Sequence, residues 1–198
     1  MLPRGTSRLH SSSLAQIATA SLIAAPAAAD ITIPLNGATF AGLEFSRVTD
    51  LMGAPMVSGL LTAATIDVRL DASSGFAYAD DLCIYVDVEP FSTGGLLQIG
   101  GYSDLGATQR FPWPNGASST VGTTVVGSVT LANPIAFSLN PGATPRSIWI
   151  GNGWGGSGSA ATWSGTVTLH GVSLVPAPGA VVILGSAALA GLAGRRRR

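Results

Sequence analysis

The chain has 198 residues, a charged fraction of 10%, 26 glycines and one cysteine; this bounds it to one folded domain with accessory segments and excludes an internal disulfide. Lysine is missing, and six of the ten basic residues are arginines at the two ends (Arg4, Arg8 and Arg195 to Arg198). Between Asp30 and Val175 ten acids face only Arg47, Arg69, Arg110 and Arg146, so the zero net charge hides an acidic body that excludes a nucleic-acid backbone as partner.

The first segment carries Arg4 and Arg8, an uncharged apolar stretch from Leu14 to Ala25, and then APAAAD. A positive start, a short apolar core and small residues at Ala27 and Ala29 predict a secretory signal peptide over residues 1–29, cut before Asp30. Its partner is signal peptidase. The two arginines are not adjacent, so the twin-arginine route is not indicated.

The body that follows reads as strands. Alternation predicts Ile31–Leu35 and Leu43–Val48. Thr65–Leu70 places Ile66, Val68 and Leu70 on one face, with Asp67 and Arg69 on the other. Leu82–Val88 sends Leu82, Ile84, Val86 and Val88 one way, and there Cys83 reads as a small hydrophobe. Further strands are predicted at Leu96–Gly100, Thr123–Leu131, Ile135–Leu139 and Ser147–Ile150. A closing strand alternates Val167 and Leu169 with Thr166, Thr168 and His170. Asn36-Gly37, Asn115-Gly116 and Asn140-Pro141-Gly142 punctuate the run as turns. Many short strands with such turns predict an all-β, jelly-roll-like sandwich over residues 30–174.

Tyr78-Ala79-Asp80-Asp81-Leu82-Cys83-Ile84-Tyr85-Val86, followed by Gln98-Ile99-Gly100-Gly101, opens a pattern. Ser147-Ile148-Trp149-Ile150-Gly151-Asn152-Gly153-Trp154 and the stretch from Trp163 to Val172 close it. The pattern, over residues 60–173, resembles a jelly-roll module of bacterial surface proteins, similar to galactose-binding-like domains and to the P-domain of some secreted proteases. The resemblance implies the fold and no particular activity.

Catalytic ingredients are scarce. His10 leaves with the signal peptide, so the mature chain has a single histidine, His170, which sits on the polar face of its strand and reads as solvated. A serine hydrolase would need it as base, and zinc sites of His and Cys lack ligands. HExxH, P-loop and GxSxG motifs are missing from the sequence. Glycosidases need two facing carboxylates, and Glu44, Glu89, Asp80, Asp81 and Asp87 are the material. Adjacent acids such as Asp80-Asp81 more often sit in a solvated turn or serve a calcium ion through oxygen ligands. No catalytic residue is assigned, no metal is required, and Asp80 and Asp81 are the calcium candidates. Among the tryptophans, Trp149 and Trp163 fall in strands and read as core. Trp113, in Phe111-Pro112-Trp113-Pro114-Asn115-Gly116, and Trp154 fall in loops. An exposed indole there would stack on the apolar face of a sugar, making Trp113 and Trp154 the candidate ligand-binding residues.

The chain closes on Val175-Pro176-Ala177-Pro178, an uncharged stretch to Gly194, and four arginines. The prolines break any helix. Gly179 to Gly194 offers 16 uncharged residues, slightly short of the roughly 17–25 that span a bilayer; Val175 and its neighbours in the interface supply the rest. With the N-terminus exported, Arg195, Arg196, Arg197 and Arg198 stay on the cytoplasmic side. This order of motif, apolar helix and arginine cluster resembles the PEP-CTERM sorting signal of Gram-negative-type bacteria, with Ala177 where that family usually carries Glu. The resemblance implies processing by an exosortase, a membrane-embedded protease.

The sequence therefore predicts an exported envelope or extracellular protein, transiently anchored by a transmembrane helix in its tail (residues 175–198). The expectation is a non-enzymatic surface or matrix protein that binds extracellular polysaccharide; the alternative is a hydrolase accessory domain or weak glycosidase using Asp or Glu.

Overall fold

The alternation seen around Ile66 extends far beyond the six residues that display it. A computed structural model describes residues 30–91, 95–138 and 146–175. The described strands are β1 (Ile31–Ala41), β2 (Phe45–Arg47), β3 (Met56–Ser74), β4 (Leu82–Asp87), β5 (Leu97–Ile99), β6 (Gln109–Phe111), β7 (Thr124–Phe137), β8 (Ser147–Asn152) and β9 (Ala160–Val175). A one-turn helix, α1 (Val48–Leu51), follows β2, and a 3-10 turn at Ala79–Asp81 precedes β4. The protein is all-β, in two sheets. One sheet has the order β1-β9-β3-β7 and is antiparallel throughout. The other has the order β2-β8-β4-β5-β6, with β5 and β6 parallel.

One apolar cluster draws on both sheets. Ile66, Val68, Leu70, Val167 and Leu169 come from the first, and Leu82, Ile84, Val86, Ile99 and Ile150 from the second. Asp67 and Arg69 face solvent, as the alternation predicts. β4 departs from it, because both of its faces are buried. The outward side of β4 is covered by loops: the Tyr85 hydroxyl accepts from Gly95 N at 2.7 Å and donates to Leu105 O at 3.1 Å. Phe45 and Phe91 pack on the same ring. Cys83 is buried and free, and burial pushes its thiol up, which suits the hydrophobe reading.

The predicted strand Leu43–Val48 shortens to Phe45–Arg47, with Val48 opening α1, and three further boundaries moved, each for a physical reason. Asn36-Gly37 is not a turn: the chain inserts one extra residue there against β9, at Gly37 with φ +73°, and β1 runs on to Ala41. Thr123–Leu131 and Ile135–Leu139 merge into β7. Pro134 interrupts the sequence pattern, but β7 is an edge strand, where a missing N–H costs no ladder bond. The break becomes a bulge between Thr130 and Ile135. Gln109 satisfies it, donating to Asn133 O and accepting from Asn133 N, each at 2.8 Å. Finally β9 continues through Val175, which pairs with Met56. The first residue of the VPAP motif thus belongs to the sheet.

Candidate functional site

The loops at the end where β3, β8 and β5 finish converge on Asp81. Its Oδ2 accepts from Tyr78 N at 2.7 Å, and its Oδ1 from Tyr102 N at 2.9 Å. Its carbonyl accepts from Gly153 N at 2.7 Å. One residue thereby fixes the 3-10 turn, the β5–β6 loop and the β8–β9 loop relative to one another. The β5–β6 loop reaches this close because Gly100 and Gly101 hold φ of +76° and +78°. A Cβ on Gly101 would sit 2.7 Å from Gly153 Cα.

Four aromatic side chains surround that anchor. Phe76 is 76% exposed, Tyr102 74% and Tyr78 39%; Trp154 is half-buried. Phe76 has φ +60°, an outlier for a bulky residue that costs on the order of 1–3 kcal/mol and concentrates at functional sites. The turn before it is held by Trp154, whose Nε1 donates to Gly75 O at 2.8 Å. Tyr102 meets the Trp154 ring edge-on at a centroid distance of 5.2 Å. Phe76, Tyr78, Asp81, Tyr102 and Trp154 line a hollow of about 240 Å³. A second hollow of about 640 Å³ shares Tyr78, Asp81 and Tyr102 with it and adds Asp80, Arg110 and Pro112. Arg110 is positioned by donating from Nη2 to Tyr102 O at 2.7 Å.

The four residues singled out from the sequence meet here, with Trp113 in a different role from the one expected. Trp154 and Asp81 line the first hollow, Asp80 and Trp113 the second. Trp113 is no stacking platform: it is 4% exposed, and its Nε1 donates to Leu82 O at 2.7 Å. The Pro-flanked loop that made it look exposed folds back over β4 instead. Trp163 is core as expected, fully buried with Nε1 on Ala79 O. Trp149 is only half-buried, donates to Asp87 O at 3.3 Å, and lies under the Arg47 guanidinium. Phe76, Tyr78, Tyr102 and Arg110 were missed. The available signal was an aromatic placed directly after glycine, in Gly75-Phe76 and Gly101-Tyr102.

Burial pushes the Asp81 carboxyl up to about 6, against the two backbone amides that lower it. Asp80 is raised by burial too. Each Asp81 oxygen accepts one amide and keeps a further lone pair. Among the described residues no group of three His, Cys, Asp or Glu side chains could hold a metal.

His170 is more engaged than a solvated strand residue. Its Nδ1 is 2.7 Å from Asp30 Oδ2 and its Nε2 is 2.7 Å from Thr65 Oγ1. Gly171 N donates to Asp30 Oδ1 at 3.0 Å, and this bond, followed by that to His170, holds the Asp30 carboxyl below its usual range. Hydroxyl, imidazole and carboxylate are in the order of an acyl-transfer triad. Thr65, however, lies mid-strand between β7 and β9, where the backbone amides that could form an oxyanion hole belong to the ladders. The array pins the start of β1 to β9.

Ala27 and Ala29 of the cleavage site, and Pro176, Ala177, Pro178 and Arg195 to Arg198 of the tail, lie outside the described residues, as does the Asn140-Pro141-Gly142 turn. Among the described residues no helix is long and apolar enough to cross a membrane. Compared with known protein families, curated proteins and solved structures, the chain matches none.

Proposed function

We propose that this is an exported bacterial envelope or matrix protein whose sandwich domain binds extracellular polysaccharide without transforming it. The jelly-roll, galactose-binding-like reading of the domain belongs to this proposal, as do the signal peptide and the PEP-CTERM-like tail. The observation that carries it is the hollow of Phe76, Tyr78, Tyr102 and Trp154 over Asp81. Flat apolar rings beside carboxylate, guanidinium and phenol groups suit a pyranose, which offers a C–H face and a rim of hydroxyls. Orientation supports it further. β9 starts at Ala160 beside the hollow and ends at Val175, where the tail begins; at about 3.3 Å per residue that separates them by about 50 Å. Asp30, bonded to His170 and Gly171, leaves near the tail end. A chain held by its tail presents the aromatic hollow away from the membrane.

Affinity electrophoresis through gels containing the host's own exopolysaccharide tests the binding. Phe76→Ala and Tyr102→Ala are each expected to weaken retardation about two- to tenfold, from the loss of roughly 0.5–1.5 kcal/mol of stacking. Melting temperatures should hardly change, because exposed substitutions stay within about 0.5 kcal/mol. Unretarded wild-type protein, or variants retarded as strongly as wild type, would sink the proposal. The export and sorting half is tested separately by intact mass. A species starting at Asp30 and ending near Pro176 is expected, whereas a membrane species ending at Arg198 would leave a plain anchor.

One observation favours the alternative, a weak glycosidase: burial raises the Asp81 carboxyl to about 6, toward the range of a general acid. Release of reducing ends from the same polysaccharide, abolished in Asp81→Asn, would establish that reading in place of binding alone.

A further inference from the structure

We infer that the cavity at the opposite end of the sandwich, beside the exit of the tail, is a binding site for a phosphate group. The cavity has a volume of about 320 Å³ and lies between the β2–α1 junction, the start of β3, the end of β7 and the start of β8. Arg47 and Arg146 line it, two of only four arginines in the acidic body. Thr49 and Ser147 add hydroxyls, and Met56 and Phe137 form an apolar wall. No carboxylate lines the cavity. Among the described residues neither arginine has an acidic partner within 4.0 Å, and the sequence 139–145 contains no acid.

Two features make this a formed site rather than two stray charges. The Arg47 guanidinium lies over the Trp149 ring, 4.8 Å from its centroid, which holds it in place at the cavity wall. Its Nε is also buried without a hydrogen-bond partner, a state that costs free energy unless an acceptor arrives. Two guanidinium groups with neighbouring hydroxyls match the several terminal oxygens and the charge of a phosphate. The apolar wall suits a phosphate carried on a nonpolar body. Met56 pairs with Val175, so the cavity adjoins the last described residue before the tail. If the tail enters a bilayer, as proposed above, a lipid headgroup is the nearest phosphate; phosphate binding itself does not depend on that reading.

The test follows the arginine Nε–Hε resonances of the full chain in nonionic detergent micelles during titration with inorganic phosphate and, separately, with short-chain phosphatidic acid. A saturable shift of the Arg47 and Arg146 signals is expected, not reproduced by chloride at matched ionic strength. Arg146→Gln removes an exposed side chain and leaves the fold intact; it should weaken binding about tenfold or more. Arg47→Lys keeps the charge but loses the fork, and should weaken it similarly. Response to the lipid alone assigns the site to a headgroup, and response to both ligands shows that free phosphate suffices; either supports the proposal. No saturable shift with either ligand, or undiminished affinity in both variants, overturns it.

Discussion

Trp113→Ala is expected to destabilise the protein by about 3–5 kcal/mol, the range for deleting a buried large aromatic. The indole is 4% exposed and roofs the segment that carries the site. Its Nε1 holds Leu82 O, the first carbonyl of β4, and without it that buried acceptor has lost its partner. Gly100 is shaped to the same ring, since a Cβ there would collide with the indole nitrogen. Trp113→Phe separates the contributions: the ring remains, the hydrogen bond is lost, and about 1–3 kcal/mol should go. Denaturant unfolding measures both. Polysaccharide retardation of folded Trp113→Phe should match wild type. A Trp113→Ala protein as stable as wild type but unable to bind would return Trp113 to the stacking role its loop position implies.

Folding stability is expected to fall as pH rises from about 4 to about 6. The sign comes from Asp81. Its carboxyl is pushed from 3.8 up to about 6 by burial, so across that window the folded chain keeps a proton that the unfolded chain has released. Each unit corresponds to 1.36 kcal/mol, so the loss is about 2 kcal/mol across that window and about 3 kcal/mol in all, complete about one unit above it. Asp80, raised by burial, acts in the same direction. Asp30 and Asp71 act elsewhere. Asp30 is lowered by the Gly171 amide and His170, and Asp71 by Ser164 and Arg69. What they contribute is lost only as pH falls below the ordinary carboxylate value. Denaturation midpoints at successive pH values provide the check, and Asp81→Asn should flatten the profile. A wild-type midpoint that is level or rising from pH 4 to 6 would show that the two amide hydrogen bonds outweigh burial.

The two hydrophobic periods of the body illustrate what local pattern carries. Ile66, Val68 and Leu70 read correctly as one buried face because the strand is amphipathic along its own length. In β4 the same reading placed Leu82, Ile84 and Val86 in the core, but it did not show the burial of the second face, since loops cover that face and no alternation records a cover supplied from elsewhere. β6 (Gln109–Phe111) went unseen: three residues are too few to show a period, and β6 exists through its parallel partner β5. Likewise Pro134 reads as a stop until the edge position of β7 makes its missing N–H harmless.

By itself the sequence determined the all-β class, the acidic body and the scarcity of catalytic side chains, because alternation and composition are properties of the chain alone. It also supplied the two terminal segments on which the sorting proposal rests. Only the tertiary structure decided which aromatics face solvent. Trp113 turns inward because Leu82 O and Gly100, both distant in sequence, offer its ring a hydrogen bond and a floor. Phe76 and Tyr102 turn outward because a left-handed turn and the amides gathered on Asp81 hold their backbones in place. Arg47 and Arg146 line one cavity only because the ends of β2 and β7 and the start of β8 come together. Exposure and convergence depend on partners far along the chain, and no local pattern encodes them.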